Sequence, residues 1–260
     1  DSSTKERSYG KFELEYLNNS VFFGRADSIK TPYLGPVLGY YFSSGFFVQG
    51  SLSYLLRSGQ NRIDLATVAA GYEFTKKDLY GEIEAEKNFY NTNSTNVKSE
   101  VQGTVEGYLQ YDLHFIQPFL QAGVNIGKKS DYFLSVGMEH AFEPDSGKFE
   151  ITPSVLLNGS TRNFYGSYYN DRHLKNKNIK TSASVPDASQ FKMMDVEFSL
   201  PLKYNWKKCT LGVTPFYAIP MNPATVFITV KLPSGGTVTR TVTEKTENQF
   251  YFSLYFSLKF

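Results

Sequence analysis

Apolar and polar residues alternate along most of this chain. Phe12, Leu14 and Tyr16 stand on one face of a first stretch, with Lys11, Glu13 and Glu15 on the other. A strand turns successive side chains to opposite faces, so a period of two predicts strands with one apolar and one polar side. The alternation recurs over 33–42, 46–56, 62–74, 79–87, 101–113, 115–126, 132–142, 148–158, 191–206 and 209–221. It returns in a last stretch from Asn248 to Phe260. Ile63 and Leu65 fall out of phase with Val68, Ala70, Tyr72 and Phe74, which predicts a bulge between them. Pro36, Pro118, Pro153, Pro201 and Pro215 each remove a ladder donor and are expected at bulges or near strand ends.

The breaks between these stretches are of two kinds. Short ones stand near 43–45, 75–78, 114, 143–147 and 207–208. Long ones stand near 18–32, 88–99, 159–190 and 223–247, and the last holds a hairpin, 225–230 with 237–243. Short turns on one rim and long loops on the other predict an all-β fold, a closed antiparallel barrel of about 12 strands. A two-sheet sandwich alternates too, but has no reason to sort its loops by length. Residues 1–8 are polar and read as a flexible lead-in, and 9–260 as a single barrel domain.

In the closing stretch Phe250, Phe252, Leu254, Phe256, Leu258 and Phe260 share one face, and Gln249, Tyr251, Ser253, Tyr255, Ser257 and Lys259 the other. This ending resembles the C-terminal strand of bacterial outer-membrane β-barrels, with aromatic or aliphatic residues at every second place back from a final Phe. The resemblance implies a transmembrane barrel with periplasmic turns and extracellular loops, resident in the outer membrane after export. It implies contact with outer-membrane lipid and lipopolysaccharide, and handling of the last strand by the barrel-assembly machinery. It makes Phe252, Leu254, Phe256, Leu258 and Phe260 lipid-facing. It says nothing about activity.

Composition agrees with a barrel. Mean hydropathy is −0.34, which looks soluble, but a barrel wall hides its apolar residues in alternation. No run approaches the roughly 20 apolar residues of a membrane helix. The net charge is +2 with the basic residues scattered, so nothing points to nucleic acid. The one cysteine, Cys209, leaves no pair for an internal disulfide and no zinc set, and no cofactor or metal is expected. Asp1-Ser2-Ser3-Thr4 suits a mature N-terminus after removal of a signal peptide, and that is the expectation here.

The polar parity carries the candidate chemistry. It places Glu13, Glu15, Glu82, Glu84, Glu86, Glu106, Asp112, Glu139, Glu150, Asp195 and Glu197 inward, against Lys11, Arg57, Lys203 and Lys259. Tyr41, Phe47, Tyr80, Tyr108, Phe119, Phe216, Tyr251 and Tyr255 share that side. Two readings stand. One is an acid-lined passage for small polar or cationic solutes. The other is a lumen filled by its own paired side chains, as in small barrels, which suits a non-enzymatic accessory subunit of a larger complex. Outer-loop residues Arg162, Tyr165, Tyr168, Tyr169, Arg172 and Lys175 are candidates for lipopolysaccharide phosphates or a protein partner. A lipid-modifying enzyme would need a histidine beside a serine or carboxylate, and only His173 offers one, so no catalytic residue is assigned.

Overall fold

A computed structural model describes residues 7–26, 30–94, 96–144, 147–168, 181–231 and 236–260. Twelve antiparallel strands form one closed wall. They are β1 Tyr9–Leu17, β2 Tyr33–Tyr41, β3 Phe46–Leu55, β4 Arg62–Lys76, β5 Leu79–Tyr90 and β6 Gly103–Tyr111. Then come β7 Gln117–Ile126, β8 Asp131–Glu139 and β9, in two segments, Phe149–Ile151 and Ser154–Ser160. Last are β10, also in two segments, Lys192–Ser199 and Leu202–Trp206, β11 Cys209–Pro220 and β12 Gln249–Lys259. Each strand pairs with its neighbour in the chain, and β12 pairs with β1 in the register Lys11 opposite Lys259 through Leu17 opposite Ser253. A ring of strands leaves no unpaired edge, which is the condition for placing a sheet in lipid.

The predicted bulge is present. The β3–β4 register shifts where Ser53 faces Leu65 and Tyr54 faces Ile63, so Asp64 is the extra residue. Its buried carboxylate accepts from Tyr33 Oη and Ser94 Oγ, each at 2.7 Å, and from Arg62 Nε at 2.8 Å. Pro153 and Pro201 fall in the breaks that divide β9 and β10. Pro118 and Pro215, by contrast, sit within continuous ladders opposite Met138 and Phe252.

The apolar parity faces out over the whole wall: Leu38, Val48, Val68, Ile83, Val136 and Leu254 are all exposed. Short connections stand at one rim together with both chain ends. There Gly10 and Phe260 exchange backbone hydrogen bonds of 2.8 and 2.9 Å. A Cβ on Gly10 would lie 2.4 Å from the Phe260 ring, so a larger residue there requires that ring to turn away.

The other rim carries structure of its own. Loop 18–32 folds into a small hairpin, Val21–Phe22 against Arg25–Ala26. Loop 91–102 contains a turn of 3-10 helix, Val97–Glu100. The connection after β9 holds a short helix, Asn163–Tyr168, and a strand, Thr181–Ser184. That strand joins the hairpin Thr225–Lys231 and Thr237–Thr243 in a three-stranded sheet. Phe164, Tyr165, Ala183, Val185, Ala224 and Val226 form a small core under it, with Phe22 and Phe23 packed against it. These connections are therefore a packed cap rather than free loops.

The cap has one acid-sensitive clamp. Arg162 Nη2 donates to Asp187 Oδ2 at 2.6 Å, and Lys192 Nζ donates to the same oxygen. Burial alone would raise the Asp187 pKa, but the hydrogen bonds from Lys192 and Arg162 prevail and hold it at about 2. The unfolded value is about 3.9, so the clamp stabilises the cap fully above that pH and its contribution is lost as pH falls toward about 2. The protection of the amides at 185–190 against hydrogen exchange, relative to their intrinsic rate at each pH, is expected to hold down to about pH 4 and to fall below it. Asp187→Asn should remove that acid step.

Candidate functional site

The lumen face of β5 carries Glu82, Glu84 and Glu86 at every second position, each half-buried. On β6, Glu106 stands directly opposite Glu84, and on β4, Glu73 stands opposite Glu82. Directly paired residues of adjacent strands have Cβ atoms about 4.5–5.5 Å apart, so this is one patch of like charge. Neutral donors hold it in place. Gln49 Nε2 donates to Glu84 at 3.1 Å, Tyr80 Oη to Glu82 at 2.7 Å, and Asn88 Nδ2 to Glu86 at 2.7 Å. The cation among the patch's described neighbours comes from a loop, where Lys98 of the 3-10 turn reaches into the same cavity as Glu84, Glu86 and Glu106.

Other inward carboxylates are paired one by one. Lys11 lies 2.9 Å from Glu13, and Lys203 donates to Glu150 at 2.8 Å. Gln110 serves Glu139 at 2.7 Å, and Tyr251 Oη serves Glu197 at 2.5 Å. Glu15 is half-buried on the same wall. Inward aromatics line the lumen in stacked pairs, Tyr9 on Tyr41 at 5.0 Å and Phe216 on Tyr251 at 4.6 Å. Higher in the wall runs a belt of hydroxyl–carboxamide pairs across neighbouring strands: Thr67 with Asn88, Thr104 with Asn125, and Ser135 with Asn158.

The hairpin of loop 18–32 enters the barrel above this belt. Its Phe23 ring lies 6.3 Å from Phe133 on the inner wall, and Phe22 lies 5.2 Å from Phe164 of the cap. Gly24, at φ +71°, sits so close to β10 that a Cβ would be 2.7 Å from the Asp195 Cβ. Beneath it Asp195 is 0% exposed, directly opposite Asn158 on β9. Arg25 anchors the hairpin. Its guanidinium donates to the carbonyls of Phe23, Met194, Met221 and Asn222, and Nε lies 3.1 Å from Glu244. Glu244 also accepts from Tyr165 Oη at 2.8 Å and from the Ala224 amide at 2.9 Å. Enclosed between hairpin and wall is a cavity of about 300 Å³, and a second of about 150 Å³ lies beside Glu15, Tyr33 and Lys98.

Sequence reasoning placed the acid ladder on one face, and the structure brings Glu82, Glu84, Glu86 and Glu106 together. Three expectations need correction. Asp112 does not line the lumen: β6 ends at Tyr111, and Asp112 is exposed in the rim turn, accepting from the His114 amide at 2.7 Å. Arg162 and Tyr165 do not face outward. They are 1% and 7% exposed, because one clamps Asp187 and the other fills the core of the cap. Tyr168 ends the short helix, while Tyr169, Arg172, Lys175 and His173 lie outside the described residues. Of the other histidines, His114 is in a rim turn at φ +70°, and His140 packs edge-on against Phe142 at 4.4 Å. Among the described residues no group of three His, Cys, Asp or Glu is placed to hold a metal ion. Phe22, Phe23, Arg25 and Lys98 were missed as lumen residues; the apolar run Val21-Phe22-Phe23 inside a polar connection was a signal for the first two, and Arg25 and Lys98 had none.

No family profile and no curated protein matches the chain. Solved structures do. A KdgM porin superposes at TM-score 0.52 with 9% identity, covering 97% of this chain and 99% of the porin. The same porin in complex with disordered oligogalacturonate gives 0.50 and 11%, with the same coverage. A NanC porin structure gives 0.47 and 11%, covering 96% of this chain and 98% of that one, too distant to support an argument. Identities this low speak for fold alone, and the fold they share with this chain is the closed antiparallel β-barrel.

Proposed function

We propose that this chain resides in the outer membrane and that its lumen passes small polar and cationic solutes. One observation carries the reading. The inner wall at β4–β6 collects Glu73, Glu82, Glu84, Glu86 and Glu106, and Lys98 shares a cavity with the last three. A wall of one sign with low-dielectric surroundings focuses field lines and concentrates counter-ions. Rings of carboxylates select cations in channels by the same means. An oligogalacturonate, the ligand in one of the similar porin structures, is a chain of carboxylated sugars, and this wall would repel it. The Phe22–Phe23 hairpin is the constriction along the path.

The test is single-channel recording of the purified barrel in a planar bilayer with a KCl gradient. Reversal potentials are expected to show cation preference, and the double variant Glu84→Gln with Glu106→Gln should bring the permeability ratio toward unity. Openings that favour chloride would sink the reading.

A second reading has its own observation. The strand Thr237–Thr243 is the outer strand of the cap sheet, with Thr237 through Thr241 exposed. An unpaired edge of this kind adds strands from a partner. A barrel that is folded yet silent in the bilayer, and that is recovered from native membranes with a partner cross-linked at Arg240, would favour the accessory role.

A further inference from the structure

The cavity beneath the hairpin has a composition that a bare passage does not need. Three aromatic rings, Phe22, Phe23 and Phe133, line it. The carboxylate pair Glu84 and Glu106 and the amide of Asn125 line it as well. Asn125 is 4% exposed, and its Oδ1 accepts from Thr104 at 3.0 Å. Its Nδ2, however, donates to nothing among the described residues. A buried donor left without an acceptor is costly, so this group marks a place where an acceptor from outside the chain belongs. The volume of about 300 Å³ is at the small end of ligand sites and suits one sugar ring.

We infer that this cavity binds a monosaccharide-sized polyol bearing a protonated amine, an amino sugar or aminocyclitol. The inference rests on the lumen being a solute path. Each part of the cavity excludes a simpler occupant. A metal ion or potassium would answer the carboxylates but brings no acceptor for Asn125 Nδ2 and no use for the aromatic wall. A neutral sugar would answer the amide and the rings but brings no charge to Glu84 and Glu106, which are left to Lys98. An acidic sugar adds a further like charge. An amino sugar supplies an ammonium to the two carboxylates, hydroxyl oxygens to the amide, and C–H faces to the phenyl rings. Lys98 is then a tethered competitor, its ammonium sharing the cavity with the same carboxylates.

The experiment is calorimetry on the full barrel in lipid nanodiscs, with glucosamine, N-acetylglucosamine, glucose, galacturonate and potassium as probes. Glucosamine is expected to bind, and the other sugars about tenfold or more weaker. Glu84→Gln, which keeps the shape of the side chain, and Asn125→Ala should each weaken glucosamine by about tenfold. Lys98→Met should tighten it. Heat-modifiable gel migration reports that each variant is folded. Equal binding of glucosamine and N-acetylglucosamine would overturn the inference, as would potassium saturating the site with Asn125→Ala indifferent. A folded, cation-selective barrel that gives no heat with glucosamine would overturn the site and leave the passage standing. A barrel that binds glucosamine but never conducts would support the site and overturn the passage.

Discussion

Arg25→Met is expected to unlatch the hairpin and raise single-channel conductance at least twofold. The Arg25 side chain is 3% exposed, and its five donors are spent on four carbonyls and on Glu244. Methionine fills much of the same volume but offers no donor. Glu244 is then left buried with only the Tyr165 hydroxyl and the Ala224 amide, and four carbonyls lose a partner. Breaking a buried ion pair from one side costs about 3–5 kcal/mol, much of it the desolvated charge left behind. The barrel wall does not depend on this network, because its ladder closes without it. The loss should therefore fall on the cap, with the hairpin freed from the lumen and protease cleavage appearing within 18–32. Adding Glu244→Gln removes the stranded charge and should recover part of the stability but none of the latch. Unchanged conductance in Arg25→Met would show that the hairpin does not narrow the path.

Leu254→Arg is expected to cost about 2–4 kcal/mol of folding free energy in bilayers. Leu254 lies at the middle of β12, opposite Tyr16 on β1 and Val213 on β11, with its side chain on the exposed apolar face. An arginine there must enter hydrocarbon or drag water with it. The same substitution at Ser253, whose side chain turns inward, would not meet lipid and should give a different profile. The measurement is equilibrium unfolding in urea from phospholipid vesicles. A cost near zero at Leu254 would reverse the assignment of inside and outside for the whole wall, because every strand is in register with β12 through its neighbours.

The wall was legible in the sequence because two solvents enforce it. Each barrel residue must choose between the apolar exterior and the polar lumen, so period two survives along most of every strand, disturbed by the extra residues Asp64 and Met194 and by the breaks at Pro153 and Pro201. That same rule misled at Asp112, where parity continued one residue past the end of pairing at Tyr111. The cap obeys no such rule. Arg162 and Tyr165 look like surface residues in a basic, aromatic loop, yet the loop folds on itself and makes them interior. Arg25 and Lys98 were invisible for a related reason. A cation in a polar connection normally faces water, and nothing local says that the connection returns into the lumen. The acid ladder was readable as a line along β5; its meeting with Glu106 and Glu73 depends on strand register, which one strand alone does not reveal.

The pairing of β1 with β12 has a consequence for how the molecule is made. The first strand of the barrel has one open side until the last arrives, and the Gly10–Phe260 bonds join residues far apart in sequence. Until β12 docks on β1 the sheet has two open edges, each a template for pairing with other chains. Contacts of such large sequence separation also form slowly. A truncation that removes only the final strand would thus not yield a slightly smaller barrel but an open sheet, prone to aggregate. The seam makes the docking of β12 a condition for closure, and leaves the interval before it as the period in which the chain most needs an escort.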